Sequence, residues 1–206
     1  MSDRSLAKEI TQPYRPRGEE RASQFMMEDE AALVAAARRD PGAFGVLYRR
    51  YVTRVYRYLY SHMRSETDAE DLTAQVFMAA WEGLARYREQ GNFPAWLFSI
   101  ARNKANDYYR RQRVHLSLDE AGPQLRQEWD LLEKVELNEA LRSLNSLVEK
   151  LNPDQQELLR LRFAADLSYA EIAGILKKNE AAVKMAIVRL LKQMRADFEA
   201  SSGSAS

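Results

Sequence analysis

Apolar residues return every three or four positions along most of the chain, the period of an α-helix with one buried face. The first such run begins near Asp29, passes through Leu33, Val34 and Ala37, and breaks at Asp40-Pro41-Gly42. A second helix carries Phe44, Leu47, Tyr48, Tyr51, Val55, Tyr58 and Leu59 inward, with Arg49, Arg50, Arg54 and Arg57 opposite as a solvated basic stripe. A third follows Ser65 or Thr67 and turns Leu72, Val76, Phe77, Ala80, Trp81 and Leu84 to the core. Asp68, Glu70 and Asp71 crowd its first turn, where carboxylates complement the positive end of the helix dipole. After a loop containing Gly91, a fourth helix runs from about residue 93 to 113. Phe93, Trp96, Leu97, Ile100 and Ala101 face its core; Arg102, Lys104, Arg110, Arg111 and Arg113 supply charge.

The pattern then lapses over 114–136, which contains Gly122-Pro123 and reads as a linker; Trp129, Leu131 and Leu132 suggest that its end already joins the next helix. Periodicity returns at about 137–150 with Leu137, Leu141, Leu144, Leu147 and Leu151. Asn152-Pro153-Asp154-Gln155 has the residues of a helix start: a capping Asn, Pro at the first position and Gln three residues on. Ser168-Tyr169-Ala170-Glu171 is a second capping box. No strand-like alternation and no internal repeat appear, so the expected fold is all-α, two small helical domains joined by a flexible linker.

The segment 168–194 fits two helices joined by a tight turn. Ile172, Ala173 and Leu176 face inward from the first, Lys177-Lys178-Asn179 makes the turn, and Asn179 caps the second. Val183, Ile187, Leu190 (or Leu191) and Met194 share one face of that second helix. Lys184, Met185, Val188, Arg189 and Lys192 are left outward, suited to a helix that enters the major groove. A plain helical hairpin with a solvated basic face has the same pattern, so this segment alone does not decide.

Composition narrows the field. The chain has 206 residues and a net charge of only +1, which excludes a globally basic DNA-coating protein. The charge is uneven: +4 over 29–113, −4 over 114–136 and +1 over 137–200. With no cysteine and two distant histidines, His62 and His115, disulfides and metal sites are not expected. No apolar run approaches the roughly 20 residues of a membrane span, and the N-terminus lacks a secretory core, so the expected location is the cytoplasm.

Three ordered motifs resemble the extracytoplasmic-function (ECF) sigma factors of the sigma-70 family. Asp68-Ala69-Glu70-Asp71-Leu72, followed by Gln75, Phe77 and Trp81, is similar to the signature of that family's second conserved region. Phe93 through Arg111, with Trp96-Leu97, Ile100-Ala101-Arg102-Asn103, Asp107 and Arg110-Arg111, resembles its next helix. Residues 151–195, with Leu167-Ser168-Tyr169, Glu171-Ile172-Ala173 and Val183-Lys184, resemble its fourth region. The resemblance covers about residues 29–198.

It implies a DNA-recognition subunit of bacterial core RNA polymerase with no catalytic residues, metal or cofactor. Asp68, Glu70, Asp71 and Gln75 would dock on polymerase. Asn92, with the adjoining loop from Gln90, and Asn103, Asp107, Arg110 and Arg111 would read the −10 element as single-stranded DNA. Lys184, Met185, Val188, Arg189 and Lys192 would read the −35 duplex. Phe93 and Trp96 are expected in the core rather than as stacking platforms, and Arg102 serves either DNA or an ion pair. The chain departs from the family at Lys177-Lys178-Asn179-Glu180, where glycine is usual, at Ala181-Ala182 for Gly-Thr, and at Ala186 for a cation.

The implied domains are a flexible extension over 1–28, region 2 over 29–113, an acidic connector over 114–136, region 4 over 137–199 and a flexible tail over 200–206. The extension is either a leader or a regulatory arm. An anti-sigma partner is common in such families, and a monomer is expected when the protein is free. Two rivals remain: a stand-alone helix-turn-helix regulator that dimerises through its N-terminal half, and an enzyme. The acidic cluster and the Arg-rich fourth helix have no task in the first rival. The second lacks any nucleophile-base pair or phosphate loop.

Overall fold

A computed structural model describes residues 30–88, 92–118 and 139–203. The expected N-terminal extension, Gln90 and Gly91, Trp129, Leu131, Leu132, Leu137 and most of the linker lie outside the described residues. All regular structure among the described residues is helical.

Helix α1 covers 30–37. Asp40 marks a start rather than a gap: its carboxylate accepts from the Gly42 amide at 2.8 Å and Pro41 occupies the first turn of α2 (Pro41–Met63). Ser65, not Thr67, caps α3 (Glu66–Gly83), which ends in a 3₁₀ turn over Leu84–Arg86. Asn92 accepts from the Ala95 amide at 3.0 Å at the head of α4 (Phe93–Leu118), which runs five residues past the expected end. Helix α5 spans Glu139–Lys150. Asn152 and Gln155 form the expected capping box of α6 (Pro153–Leu159). Ser168 and Glu171 do the same for α7 (Tyr169–Leu176), and α8 follows over Glu180–Gly203. Each such cap satisfies otherwise orphaned amides and contributes about 1 kcal/mol.

Helix α6 passes directly into a π-helical turn over Arg160–Ala164, closed by the Ala165 amide donating to the Arg160 carbonyl at 2.9 Å. Asp166 follows in the left-handed region at φ 52°. The chain thus stops abruptly and turns its last carbonyls outward, towards α2.

One hydrophobic cluster runs through both helical groups. Val55, Leu59, Val76, Ala80 and Leu97 from the first share it with Leu161, Leu167, Ile172 and Val183 from the second. A small separate cluster of Leu147, Leu190 and Met194 lies between α5 and α8.

The structure corrects several assignments made from periodicity. Tyr48 and Trp81 are 41% and 44% exposed, laid edge-on over Phe77 and Phe44 instead of enclosed. Leu144 is also exposed. Phe98 and Ala105, absent from the expected stripe, are fully buried. Arg54 is not solvated: its Nε and Nη2 donate to the carbonyls of Ala165 and Asp166 at 2.8 and 2.7 Å. The reason is common to Phe98 and Arg54. Both face the second helical group, which buries a side of α2 and α4 that periodicity assigns to solvent.

Candidate nucleic-acid interface

The acidic turn of α3 is split in exposure. Glu70, Asp71 and Gln75 are exposed, whereas Asp68 is half-buried and accepts from the Tyr108 hydroxyl of α4 at 2.8 Å. Tyr108 is pushed up to about 12, first by burial and then by this carboxylate. Asp68 therefore ties α4 to α3 as well as adding charge to the turn. The outward row remains Glu70, Asp71 and Gln75, beside exposed Met78.

On α4, Asn103, Arg110 and Arg111 are exposed and Asp107 is half-exposed. Asp107 and Arg110 pair at 3.0 Å, so the helix orders its own cation on this face. Asn92 stands apart from this row as the helix cap, with its carboxamide occupied by the Ala95 amide. The seven residues from Gln112 to Leu118 extend the helix, but their side chains are outside the description.

The adjoining face of α4 carries residues that sequence reasoning left unassigned or open, together with Arg110 of the expected −10 set. Arg102, Asn106, Tyr109 and Arg110 line a cavity of about 440 Å³ together with His62 of α2 and Pro153, Asp154, Glu157 and Arg160 of the second group. At its floor the Glu157 carboxylate, 8% exposed, receives three partners. The Tyr58 hydroxyl donates to it at 2.8 Å, and His62 Nε2 and Arg102 Nε approach at 3.1 and 3.3 Å. Burial pushes the Glu157 carboxyl up, but His62, Tyr58 and Arg102 outweigh it and hold the group below the ordinary value of 4.5. Burial lowers His62 below 6.5, helped by the charges of Arg160 and Arg102 and opposed by Glu157. Of the two roles open to Arg102, the ion pair is therefore present. The signal for this site was the apolar run around Phe98, since a helix apolar on more than one side is buried on more than one side.

The helix-turn-helix has the expected division. Val183, Ile187, Leu190 and Met194 are buried, and exposed Leu191 resolves the choice in favour of Leu190. Asn179 accepts from the Ala181 amide at 2.8 Å at the head of α8. Lys177 ends α7 in the left-handed region at φ 52°, so a lysine holds the position where glycine is cheapest. Lys184, Met185, Val188, Arg189 and Lys192 are all exposed along α8. Among the described residues no group of three His, Asp or Glu side chains is placed to hold a metal ion, and no helix is long and apolar enough to cross a membrane.

Known proteins share this arrangement. The models of Sigma-70 region 2 and of Sigma-70, region 4 match residues 47–114 and 141–194. The chain is 34% identical over 186 residues to the ECF RNA polymerase sigma factor BldN of Streptomyces coelicolor, covering 87% of this chain and 68% of BldN. It is 30% identical over 153 residues to the ECF RNA polymerase sigma factor SigM of Bacillus subtilis, covering 73% of this chain and 91% of SigM. The structure of CnrH in complex with the cytosolic domain of CnrY matches with a TM-score of 0.60 and 28% identity, over 85% of this chain and 98% of CnrH; CnrH is a sigma factor of Cupriavidus metallidurans. With both regions in order and relatives of this similarity, the chain belongs to the sigma-70 family, as an RNA polymerase sigma factor of the ECF type.

Proposed function

We propose that the chain binds bacterial core RNA polymerase through α3, reads the −10 strand with α4 and docks α8 in the major groove at −35. The units would be region 2 over 29–113 and region 4 over 137–199. It acts as a specificity subunit without chemistry of its own, in the cytoplasm where polymerase meets DNA. The observation that carries the reading is α8: four apolar residues lock one face while Lys184, Met185, Val188, Arg189 and Lys192 stand free on the other. That is the geometry of a reading helix, with cations for phosphate or guanine edges. Glu70 and Asp71, with Gln75, supply a charged row that fits a basic helix of a partner. A protein inhibitor belongs to the same reading, since CnrH was solved with the cytosolic domain of CnrY.

Transcription by purified core polymerase on templates with randomised −35 and −10 elements tests the proposal. Discrete chain-dependent start sites are expected. Lys184→Ala with Arg189→Ala is expected to cut −35-dependent output, each lost base contact costing about 1–3 kcal/mol. Duplex binding by the chain alone, with no effect on core polymerase, would replace the reading with a stand-alone regulator.

A further inference from the structure

Outside the seam between the two helical groups, the grip on α4 changes along its length. Leu97 and Phe98 are fully enclosed, the next buried residues are the small Ala101 and Ala105, and from 106 to 111 no side chain is buried. Apolar contact therefore fades where most of the expected −10 residues lie. Two tyrosines, neither of them among the expected site residues, take over there. The Tyr108 hydroxyl donates to the Asp68 carboxylate of α3 at 2.8 Å, and the Tyr109 hydroxyl donates to the His62 carbonyl at the end of α2. Their rings meet nearly edge to face, with centres 5.7 Å apart. Asp68 is itself set in place, because its amide donates to the Ser65 cap at 3.3 Å.

We infer that Tyr108 and Tyr109 are positioning residues for promoter recognition: their two hydroxyls fix the roll of α4, and so the angle at which Asn103, Asp107, Arg110 and Arg111 meet the −10 strand. This rests on the reading of α4 as the reader of that strand. At about 100° per residue, those four side chains fall within one sector of roughly 100°, and the two tyrosines straddle the opposite side. A single tie leaves a helix free to turn about it, whereas two that diverge to different helices do not. A roll of about 20° would move a side-chain tip about 5–6 Å from the axis by about 2 Å, more than a hydrogen bond tolerates.

Both hydroxyls remain donors through neutral pH. Burial raises each above the ordinary tyrosine value, and the Asp68 carboxylate raises Tyr108 further. Asp68 thereby has a task inside the fold, while Glu70 and Asp71 stay exposed with the charge of the docking turn.

The test uses the full chain, core polymerase and the randomised templates. Tyr108→Phe and Tyr109→Phe keep the rings and remove the hydroxyls. The quantity read is the output from the −10 sequences that the unsubstituted chain prefers, divided by the output from the whole library. This ratio is expected to fall about tenfold for Tyr108→Phe, whose acceptor is charged, and about threefold for Tyr109→Phe. Preference at −35 and affinity for core polymerase without DNA, measured on the same samples, should stay within about twofold, because α8 and the Glu70–Asp71 row are untouched. Asp68→Ala combined with Tyr108→Phe should lower the ratio no further than the larger of the two single losses, since both remove one bond. A −10 preference kept by either tyrosine variant overturns the inference. So does an equal fall on all templates with weakened core binding, which assigns the hydroxyls to folding alone, and so do additive losses in the double variant. Absence of discrete start sites with the unsubstituted chain is a different result: it removes the promoter reading, and the positioning role falls with it.

Discussion

Region 2 and region 4 enclose their apolar residues by different routes. In region 2, Val55, Leu59, Val76, Ala80 and Leu97 from three long helices meet one another and leave almost no exposed surface. Region 4 divides its apolar residues. Leu147, Leu190 and Met194 form a small cluster of their own, while Leu161, Leu167 and Ile172 join the core of region 2. Region 4 thus leans on its neighbour more than it is leaned upon. Local stability follows enclosed apolar contact, so the leaning part is the one expected to open first.

The largest effect should come from the shared core. Leu97→Ala and Leu161→Ala each remove a side chain with 0% exposure, at a cost of about 2–5 kcal/mol. Amide exchange separates them. Leu161→Ala is expected to quicken exchange in α6–α8 and spare α2 and α3, whereas Leu97→Ala quickens it throughout. Equal loss of protection in both regions after Leu161→Ala would show that region 2 depends on region 4 as much as the reverse.

Acid probes the seam more gently. His62 is faced by Glu157, Arg160, Arg102 and the Tyr58 ring, and its pKa in this arrangement lies below 6.5. An opened His62 takes up a proton near 6.5 and the enclosed one does not, so closure weakens as pH falls through that value. Glu157, held below 4.5, acts in the same direction at lower pH. Exchange in α6 and α7, corrected for its intrinsic rate, should rise from about pH 7.5 to about 5.5. His62→Gln should flatten that window; an unchanged slope would assign the effect to another group.

The smallest expected effect is confined to region 4. Lys177→Gly relieves a left-handed lysine and should raise the stability of α7–α8 by about 1 kcal/mol, read as a higher melting temperature. No gain would mean that the lysine side chain repays its backbone cost by contacts elsewhere.

Local signals carried far into this fold. Asp40, Ser65, Asn152, Ser168 and Asn179 are helix starts because their side chains bond amides two or three residues away, within reach of sequence reasoning. The division of α8 into buried and exposed faces was legible for the same reason, since one helical period settles it. The seam was not. Arg54 finds its acceptors 111 and 112 residues downstream, and Tyr58 meets Glu157 at a separation of 99. Periodicity assigns one inward face per helix, so it left Arg54 in solvent and Phe98 without a role. Asn92 was read as a DNA contact from its place in the resemblance; its cap on the Ala95 amide was a local signal left unused, whereas its place beside Gly174 is set by a residue far along the chain.

The wide turn at Arg160–Ala164 gives the chain a register it would not otherwise have. A π turn accommodates one more residue than an α turn, as an insertion absorbed without breaking the helix. Winding the same residues there as regular α-helix would remove that allowance and rotate everything downstream by about 100°. The carbonyls of Ala165 and Asp166 would swing away from Arg54, and α7 would leave the head of α4. The relative orientation of the two regions is in that sense a matter of counting: one residue, placed in one turn, aims half the molecule.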